Sequence, residues 1–241
     1  MNQAMVALCL VMCMGLPQAR AQSMNGPASR QPLQVLSWDA ADPLRLIPPP
    51  PPHGSGAEAA ELAELHDIQA NRTPERLRQA QWDQDHQNWT LFASTLGPRF
   101  DMAKMPATAK VLAVIQRDNT AVAQSAKASF HRMRPWAADP TLMGCVISPK
   151  DDPYSSYPSG HADVGYALGV TLAYLIPQKA QAILARAGDY AFSRQVCEMH
   201  FPSDTAAAQA LATALTLAML HSPTMQADLD AARAELKAAG F

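Results

Sequence analysis

Apolar residues recur at steps of three and four along most of the chain from residue 57 onward, as Val111, Val114, Ile115 and Val122 illustrate. This spacing places apolar side chains on one face of an α-helix. Proline and glycine separate the repeating stretches, and no stretch alternates apolar and polar residues as a half-buried strand does. The pattern predicts helices over residues 57–65, 74–92, 107–133, 161–176, 178–199 and 203–220. The predicted fold class is therefore all-α, a single-domain helical bundle.

Two of the predicted helices contain long, very apolar runs, at residues 165–176 and 206–220. Each run is shorter than the roughly 20 residues that span a bilayer, and each is rich in alanine. We expect buried helices here and no membrane span.

The first residues have the pattern of an export signal. Residues 4–16 are almost all apolar, and Ala19-Arg20-Ala21 follows with small residues at the spacing of a cleavage site. We therefore predict a signal peptide over residues 1–21 and a periplasmic location. The alternative is an uncleaved N-terminal helix, because residues 1–3 contain no lysine or arginine.

The rest of the chain divides at a run of prolines. Residues 22–47 are polar and mixed, which predicts a loop or short lead-in. Residues 48–52 are all proline, which favours an extended polyproline stretch that leads into the domain. We place the domain at residues 48–241.

Composition limits the partners of the chain. It has 241 residues with a formal net charge of -2, and it contains no run of lysine and arginine. A nucleic acid polymer is therefore excluded as the expected partner. Any anionic substrate must instead be bound by a few placed cations.

The cysteines suggest one covalent link. Removal of residues 1–21 would leave Cys145 and Cys197, an even number. In an oxidising compartment this favours a Cys145–Cys197 disulfide, and the alternative is two buried free thiols.

Three clusters of residues contain the candidate chemistry. In the first, Lys127 and Arg134 are seven residues apart, which places both on one face of a helix that Pro135 would end at Arg134. In the second, Ser159-Gly160-His161 precedes an apolar helix. Ser159 is suited to cap that helix, whose first N–H groups could bind an anion. Taken alone, each cluster is more typical of an ordinary charged face or a capped helix.

The third cluster contains Arg194, His200 and Asp204. Histidine and aspartate four residues apart could bind a metal ion, but Pro202 breaks the helix between them and Ser203 then caps the next one. We prefer a carboxylate that orients the imidazole, and we predict no metal site.

In this order and with these gaps, the three clusters resemble the signature of the type 2 phosphatidic acid phosphatase superfamily, which also contains the vanadium haloperoxidases. The likeness is closest to the bacterial class A non-specific acid phosphatases, whose motifs are similar to residues 156–161 and 193–197. It extends from about residue 46 to the C-terminus. The resemblance implies the helical bundle of that superfamily.

The resemblance also implies a function. It is that of an exported acid phosphatase that hydrolyses small phosphate monoesters of broad range through a phosphohistidine, with no metal or other cofactor. His200 would be the nucleophile, Asp204 would orient it, and His161 would protonate the leaving oxygen and then activate water. The implied phosphate-binding residues are Lys127, Arg134, Ser159, Gly160 and Arg194. Phosphate or vanadate would inhibit such an enzyme, and a homodimer is suggested.

Two other functions fit the same residues. A vanadium-dependent haloperoxidase uses a similar anion site, although the compact chain argues against it. A non-catalytic exported phosphate-binding protein needs the cations and the capped helix. It does not need His161, His200 and Asp204 together, so these residues favour catalysis. A membrane lipid phosphatase is disfavoured by the absence of predicted spans.

Overall fold

The computed structural model describes residues 30–145, 148 and 151–241. The predicted signal peptide lies outside these residues. The described part contains ten α-helices and no strand, so the all-α prediction is confirmed. The helices are α1 (Pro43–Leu46), α2 (Gly56–Asn71), α3 (Pro74–Asp85), α4 (Ala93–Leu96), α5 (Pro106–Phe130), α6 (Pro135–Ala138), α7 (Gly160–Leu175), α8 (Ala180–Val196), α9 (Pro202–Leu220) and α10 (Gln226–Ala238).

Helix α7 lies at the centre of the bundle and packs against α5, α8, α9 and α10. Two glycines four residues apart let α8 approach it closely. A Cβ at Gly165 would lie 2.7 Å from Cδ1 of Tyr190, and one at Gly169 would lie 3.0 Å from Cβ of Ala187. The very apolar run that begins at residue 165 is therefore a buried core helix, as the sequence predicts. Among the described residues, no helix is long and apolar enough to cross a membrane.

The described part of the predicted lead-in packs onto the bundle. The backbone N–H groups of Gln34 and Val35 donate to the buried carboxylate of Asp118 on α5, at 2.8 to 3.0 Å. Farther along, Ala41 and Ile47 are buried in an apolar cluster that includes residues of α9. Residues 31–47 therefore contribute to the core, which their mixed composition does not reveal.

Helix α5 ends earlier than predicted. Periodicity predicted a helix over residues 107–133, and Pro135 placed its end at Arg134, but the structure ends it at Phe130. His131 adopts a left-handed conformation with φ of 47° and donates its N–H to the Lys127 carbonyl at 2.9 Å. This turn redirects the chain so that Arg132 enters the interior, where its side chain is 3% exposed. Helix α10 was not predicted at all.

Helix α8 and the start of α9 are joined by a short connection, residues 197–201, that is fixed from several sides. The predicted disulfide is present, and it links Cys197 to Cys145. Next to it, the buried Glu198 accepts hydrogen bonds from Arg72 at 2.5 Å and from the Gly144 N–H at 3.1 Å. This connection contains His200, so covalent and ionic links both hold the residue that the sequence singles out.

Candidate active site

The three sequence clusters meet at one end of α7. Nη1 of Arg134 lies 3.2 Å from Nε2 of His200, and the backbone N–H of Ser159 donates to the Asp204 carbonyl at 3.0 Å. A Cβ at Gly160 would lie 3.7 Å from Cε of Lys127. Residues from α5, α7 and α9, and from the connections that precede α6 and α9, therefore surround the same small volume.

His200 is buried, and its two ring nitrogens face different partners. Nδ1 lies 3.3 Å from Oδ2 of Asp204, whereas Nε2 faces Arg134. Burial, and after it the nearby charges of Arg134 and Lys127, lower the pKa of His200 well below its usual value. The ring is therefore neutral even in mild acid. With the Nδ1 proton directed at Asp204, the lone pair of Nε2 points toward the cations.

Asp204 lies in the first turn of α9 and is fully buried. Oδ2 accepts hydrogen bonds from the Phe201 N–H at 2.9 Å and from the Ser156 hydroxyl at 2.5 Å, in addition to its contact with His200. Oδ1 accepts from Arg132 at 2.6 Å. These partners fix the plane of the carboxylate, and that in turn fixes the ring of His200.

The prediction that Ser203 caps α9 is wrong. The cap lies two residues earlier, at Phe201, and Pro202 is the first helical residue. Pro202 suits that position because its missing N–H needs no partner there. Ser203 instead donates its N–H to Glu61 at 2.6 Å and accepts from Arg132 at 2.7 Å.

Sequence reasoning missed Arg132 and Glu61. Arg132 also donates to Glu61 at 2.7 Å, and its guanidinium lies 3.9 Å over the ring of Phe201. Glu61 comes from α2, far away in the sequence. No spacing pattern connects such residues, because the pairing exists only after α2 has packed beside the start of α9.

Lys127 and Arg134 both reach the site, but not as residues of one helix face, as predicted. Lys127 lies on the last turn of α5, whereas Arg134 lies in the extended connection before α6. The Nζ of Lys127 donates to the carbonyl oxygens of Ser155 and, at 3.3 Å, of Ser156. Arg134 donates to the Ser155 hydroxyl at 3.0 Å and to the Met199 carbonyl at 3.0 Å. The turn at residues 155 and 156 thus holds both cations.

The ammonium group of Lys127 is close to losing its proton at neutral pH. Burial, followed by the charge of Arg134, lowers the pKa of Lys127 to about 7. Burial also lowers the pKa of Arg194 to about 10, so this guanidinium keeps its charge. Arg194 lies in the last turn of α8 and donates from Nη1 to Oε1 of Gln84 at 2.8 Å. Its Nε is buried and has no hydrogen-bond partner in the described part of the chain.

The start of α7 completes the site. Ser159 is the cap residue, as predicted, and its hydroxyl accepts from the Ala162 N–H at 3.4 Å. His161 in the first turn has Nε2 3.0 Å from the main-chain oxygen of Gln84. A carbonyl accepts only from a protonated nitrogen, so in the neutral ring the proton is on Nε2 and Nδ1 is left free. Burial, and then the charge of Arg194, lower the pKa of His161 to about 3.

Asp163, in the same first turn of α7, was also missed. It is fully buried, and neither carboxylate oxygen has a hydrogen-bond partner among the described residues. Burial raises the pKa of Asp163 to about 8, although the charge of Lys127 acts against this. The carboxyl group is therefore neutral in mild acid. Within the described residues, no group of three histidine, cysteine or acidic side chains could hold a metal ion.

Comparison with known proteins identifies a family for this chain. A family model described as the PAP2 superfamily matches residues 108–228, a range that includes every predicted catalytic and phosphate-binding residue. An acid phosphatase of Zymomonas mobilis is 30% identical over 204 residues, which cover 83% of this chain and 77% of that protein. A non-specific acid phosphatase of Providencia stuartii is also 30% identical, over 202 residues that cover 81% of each protein.

A solved structure shares the fold. It is the crystal structure of a transmembrane PAP2-type phosphatidylglycerolphosphate phosphatase from Bacillus subtilis, with a TM-score of 0.52 and 14% identity. The similarity covers 68% of this chain and 85% of that protein. The chain therefore belongs to the PAP2 superfamily, and within it to the phosphatases.

Proposed function

We propose that this phosphatase is an exported, metal-independent acid phosphatase that hydrolyses small phosphate monoesters through a phosphohistidine at His200. One observation supports the proposal above the others. A neutral, buried imidazole turns one nitrogen toward Asp204 and the other toward Arg134, with Lys127 and Arg194 close by. This is the environment that an activated nitrogen nucleophile needs beside an anionic phosphoryl group.

In the first step, Nε2 of His200 attacks phosphorus and the bond to the leaving alcohol breaks. Protonated His161 gives a proton to the departing oxygen from Nδ1, since Nε2 remains bonded to the Gln84 carbonyl. The ring of His200 becomes positive as the phosphorus–nitrogen bond forms. Asp204 offsets that charge through Nδ1.

In the second step, the now neutral His161 takes a proton from water, and the water oxygen attacks phosphorus. The phosphorus–nitrogen bond breaks and returns its electron pair to Nε2 of His200. Inorganic phosphate leaves, and His161 is protonated again. The net reaction consumes one ester and one water and gives one alcohol and one phosphate.

Positive charge around the phosphoryl oxygens takes the role that a metal ion has in other phosphatases. Lys127, Arg134 and Arg194 supply this charge, and the planar guanidinium groups match phosphate oxygens in pairs. The buried Nε of Arg194 and the N–H groups at the start of α7 are the donors best suited to this role. Vanadate should inhibit, because it adopts a five-coordinate geometry like that of the transition state.

The charges around the histidines favour activity in acid. His200 must be neutral to attack, and its lowered pKa keeps it neutral there. His161 must be protonated when substrate is bound. A bound phosphate ester adds negative charge beside this ring and raises its pKa from the value of about 3 that burial and Arg194 impose.

The decisive experiment measures hydrolysis of p-nitrophenyl phosphate at about pH 5.5 in excess EDTA. The wild-type protein should be active, His200→Ala should be inactive, and His221→Ala, which alters an exposed histidine, should match the wild type. Denaturation of the enzyme in alkali during turnover should preserve a phosphorylated histidine in the wild type only. Activity that depends on added magnesium would contradict metal independence, and full activity in His200→Ala would contradict the assigned nucleophile.

A further inference from the structure

Gln84 contacts two different parts of the candidate site. It lies near the C-terminal end of α3 and is half-buried. Its side-chain oxygen accepts from Arg194 at 2.8 Å, and its main-chain oxygen is 3.0 Å from Nε2 of His161. One residue of α3 therefore touches both a phosphate-binding cation and the expected acid.

The position of Gln84 is itself fixed by its neighbour. Asp83 is fully buried and accepts from the hydroxyl of Ser193 at 2.5 Å and from Arg186 at 3.3 Å. The adjacent residues Asp83 and Gln84 thus pair with the adjacent residues Ser193 and Arg194. This double pairing ties the end of α3 to the end of α8.

A neutral acceptor is chemically suited to this place. The carboxamide of Gln84 can orient the guanidinium of Arg194 without cancelling its charge, as a carboxylate would. With Nη1 held in this way, the plane of the guanidinium is set, and the buried Nε keeps its N–H available for an anion. The neighbouring carboxylate of Asp83 does not cancel the charge of Arg194, because Arg186 balances it.

We infer that Gln84 is a positioning residue of the phosphate site, whose carboxamide sets the orientation of Arg194 while its main-chain carbonyl sets that of His161. The inference rests on the proposed function, since it assumes that Arg194 binds the phosphoryl group. It assigns a role in the chemistry to α3, a helix that lies outside the three sequence clusters.

The test is a calorimetric titration with inorganic phosphate at about pH 5.5. Gln84→Met keeps the side-chain length and removes the acceptor. We expect the Kd for phosphate to rise about tenfold, because a hydrogen bond to a charged group is lost. In an Arg194→Met background the same substitution should change the Kd less than about twofold, because the donor that Gln84 orients is gone. Gln81→Met, on an exposed position of the same helix, is the matched control.

The outcomes separate positioning from mere structural support. An equal rise in both backgrounds, or no rise in either, would overturn the inference. Should Gln84→Met fail to fold, Gln84→Glu retains the shape and the acceptor but cancels the charge of Arg194, and it should raise the Kd by at least as much. The pH dependence of kcat should stay the same in Gln84→Met, because this substitution changes no charge and leaves the main-chain contact with His161 in place. If the wild-type protein binds phosphate but does not hydrolyse esters, the proposed function is refuted. The phosphate Kd values of the Gln84 variants would still decide whether Gln84 positions Arg194.

Discussion

Oδ2 of Asp204 lies 3.3 Å from Nδ1 of His200, and Oδ1 of the same carboxylate is bonded to Arg132 at 2.6 Å. The carboxylate is therefore fixed on one side and orients the histidine on the other. We expect Asp204→Asn to lower kcat by about 10² to 10⁴, because an amide no longer selects the tautomer in which Nε2 is free. Steady-state kinetics would measure this effect.

The control for this substitution is Asp230→Asn, which changes an aspartate that is 73% exposed. It should leave kcat unchanged. Because Asp204 also holds Arg132, the melting temperature of each variant must be measured alongside the kinetics. A kcat for Asp204→Asn within a few-fold of the wild type would mean that Asp204 does not orient the nucleophile.

Lys127 should set the alkaline limit of activity. Burial lowers its pKa to about 7, so the ammonium is charged below that pH and loses its charge as pH rises through it. We expect kcat/KM to fall above about pH 7 in the wild type. Lys127→Arg should move this fall to higher pH, because a guanidinium keeps its proton. Lys110→Arg, on an exposed lysine, should leave the profile as it is. A wild-type profile that stays flat to about pH 9 would argue against this role.

Asp163 should make the fold less stable as the solution becomes less acidic. Burial raises its pKa to about 8, well above the value of 3.8 for a free aspartate. Between these two values the unfolded chain releases this proton and the folded chain keeps it. The free energy of unfolding therefore falls with rising pH, by up to about 1.4 kcal/mol per unit.

Asp163→Asn removes the contribution of this group to the pH dependence of stability. The free energy of unfolding of the variant, relative to that of the wild type, should therefore increase between about pH 4 and pH 8. Urea unfolding of both proteins at several pH values would measure the difference. If the difference in the free energy of unfolding between the two proteins is constant with pH, Asp163 is already ionised in the folded protein.

Gly165→Ala should destabilise the fold by about 1 to 3 kcal/mol, because the new Cβ would lie 2.7 Å from the ring of the buried Tyr190. Gly188→Ala is the matched control on α8. Its Cβ would meet only the hydroxyl of Tyr166, at an ordinary 3.5 Å, so helix propensity should make it neutral or up to about 1 kcal/mol more stable. Thermal unfolding of the two variants compares them directly, and equal melting temperatures would contradict the close packing.

The parts of the molecule that were predictable from sequence are those governed by local rules. Helix periodicity identified α7 and α9, and Ser159 was recognised as a cap because its role depends on the next three residues. Gln84, Glu61 and Arg132 depend instead on contacts between distant segments, and no pattern in the chain marks them. The end of α5 was misplaced because Pro135 gave a clear local signal for termination. The actual end is set by the burial of Arg132 against Asp204.

Residues 33–47 pack against an apolar cluster to which α9 contributes Ala207, Leu211 and Leu215. A ribosome makes the first of these segments long before the second, so during most of synthesis α9 is not yet available to cover it. Contacts between such distant segments form late, because the intervening loop must close first. The nascent chain therefore leaves this cluster incomplete until α9 emerges, and incompletely covered apolar surface favours aggregation in that period.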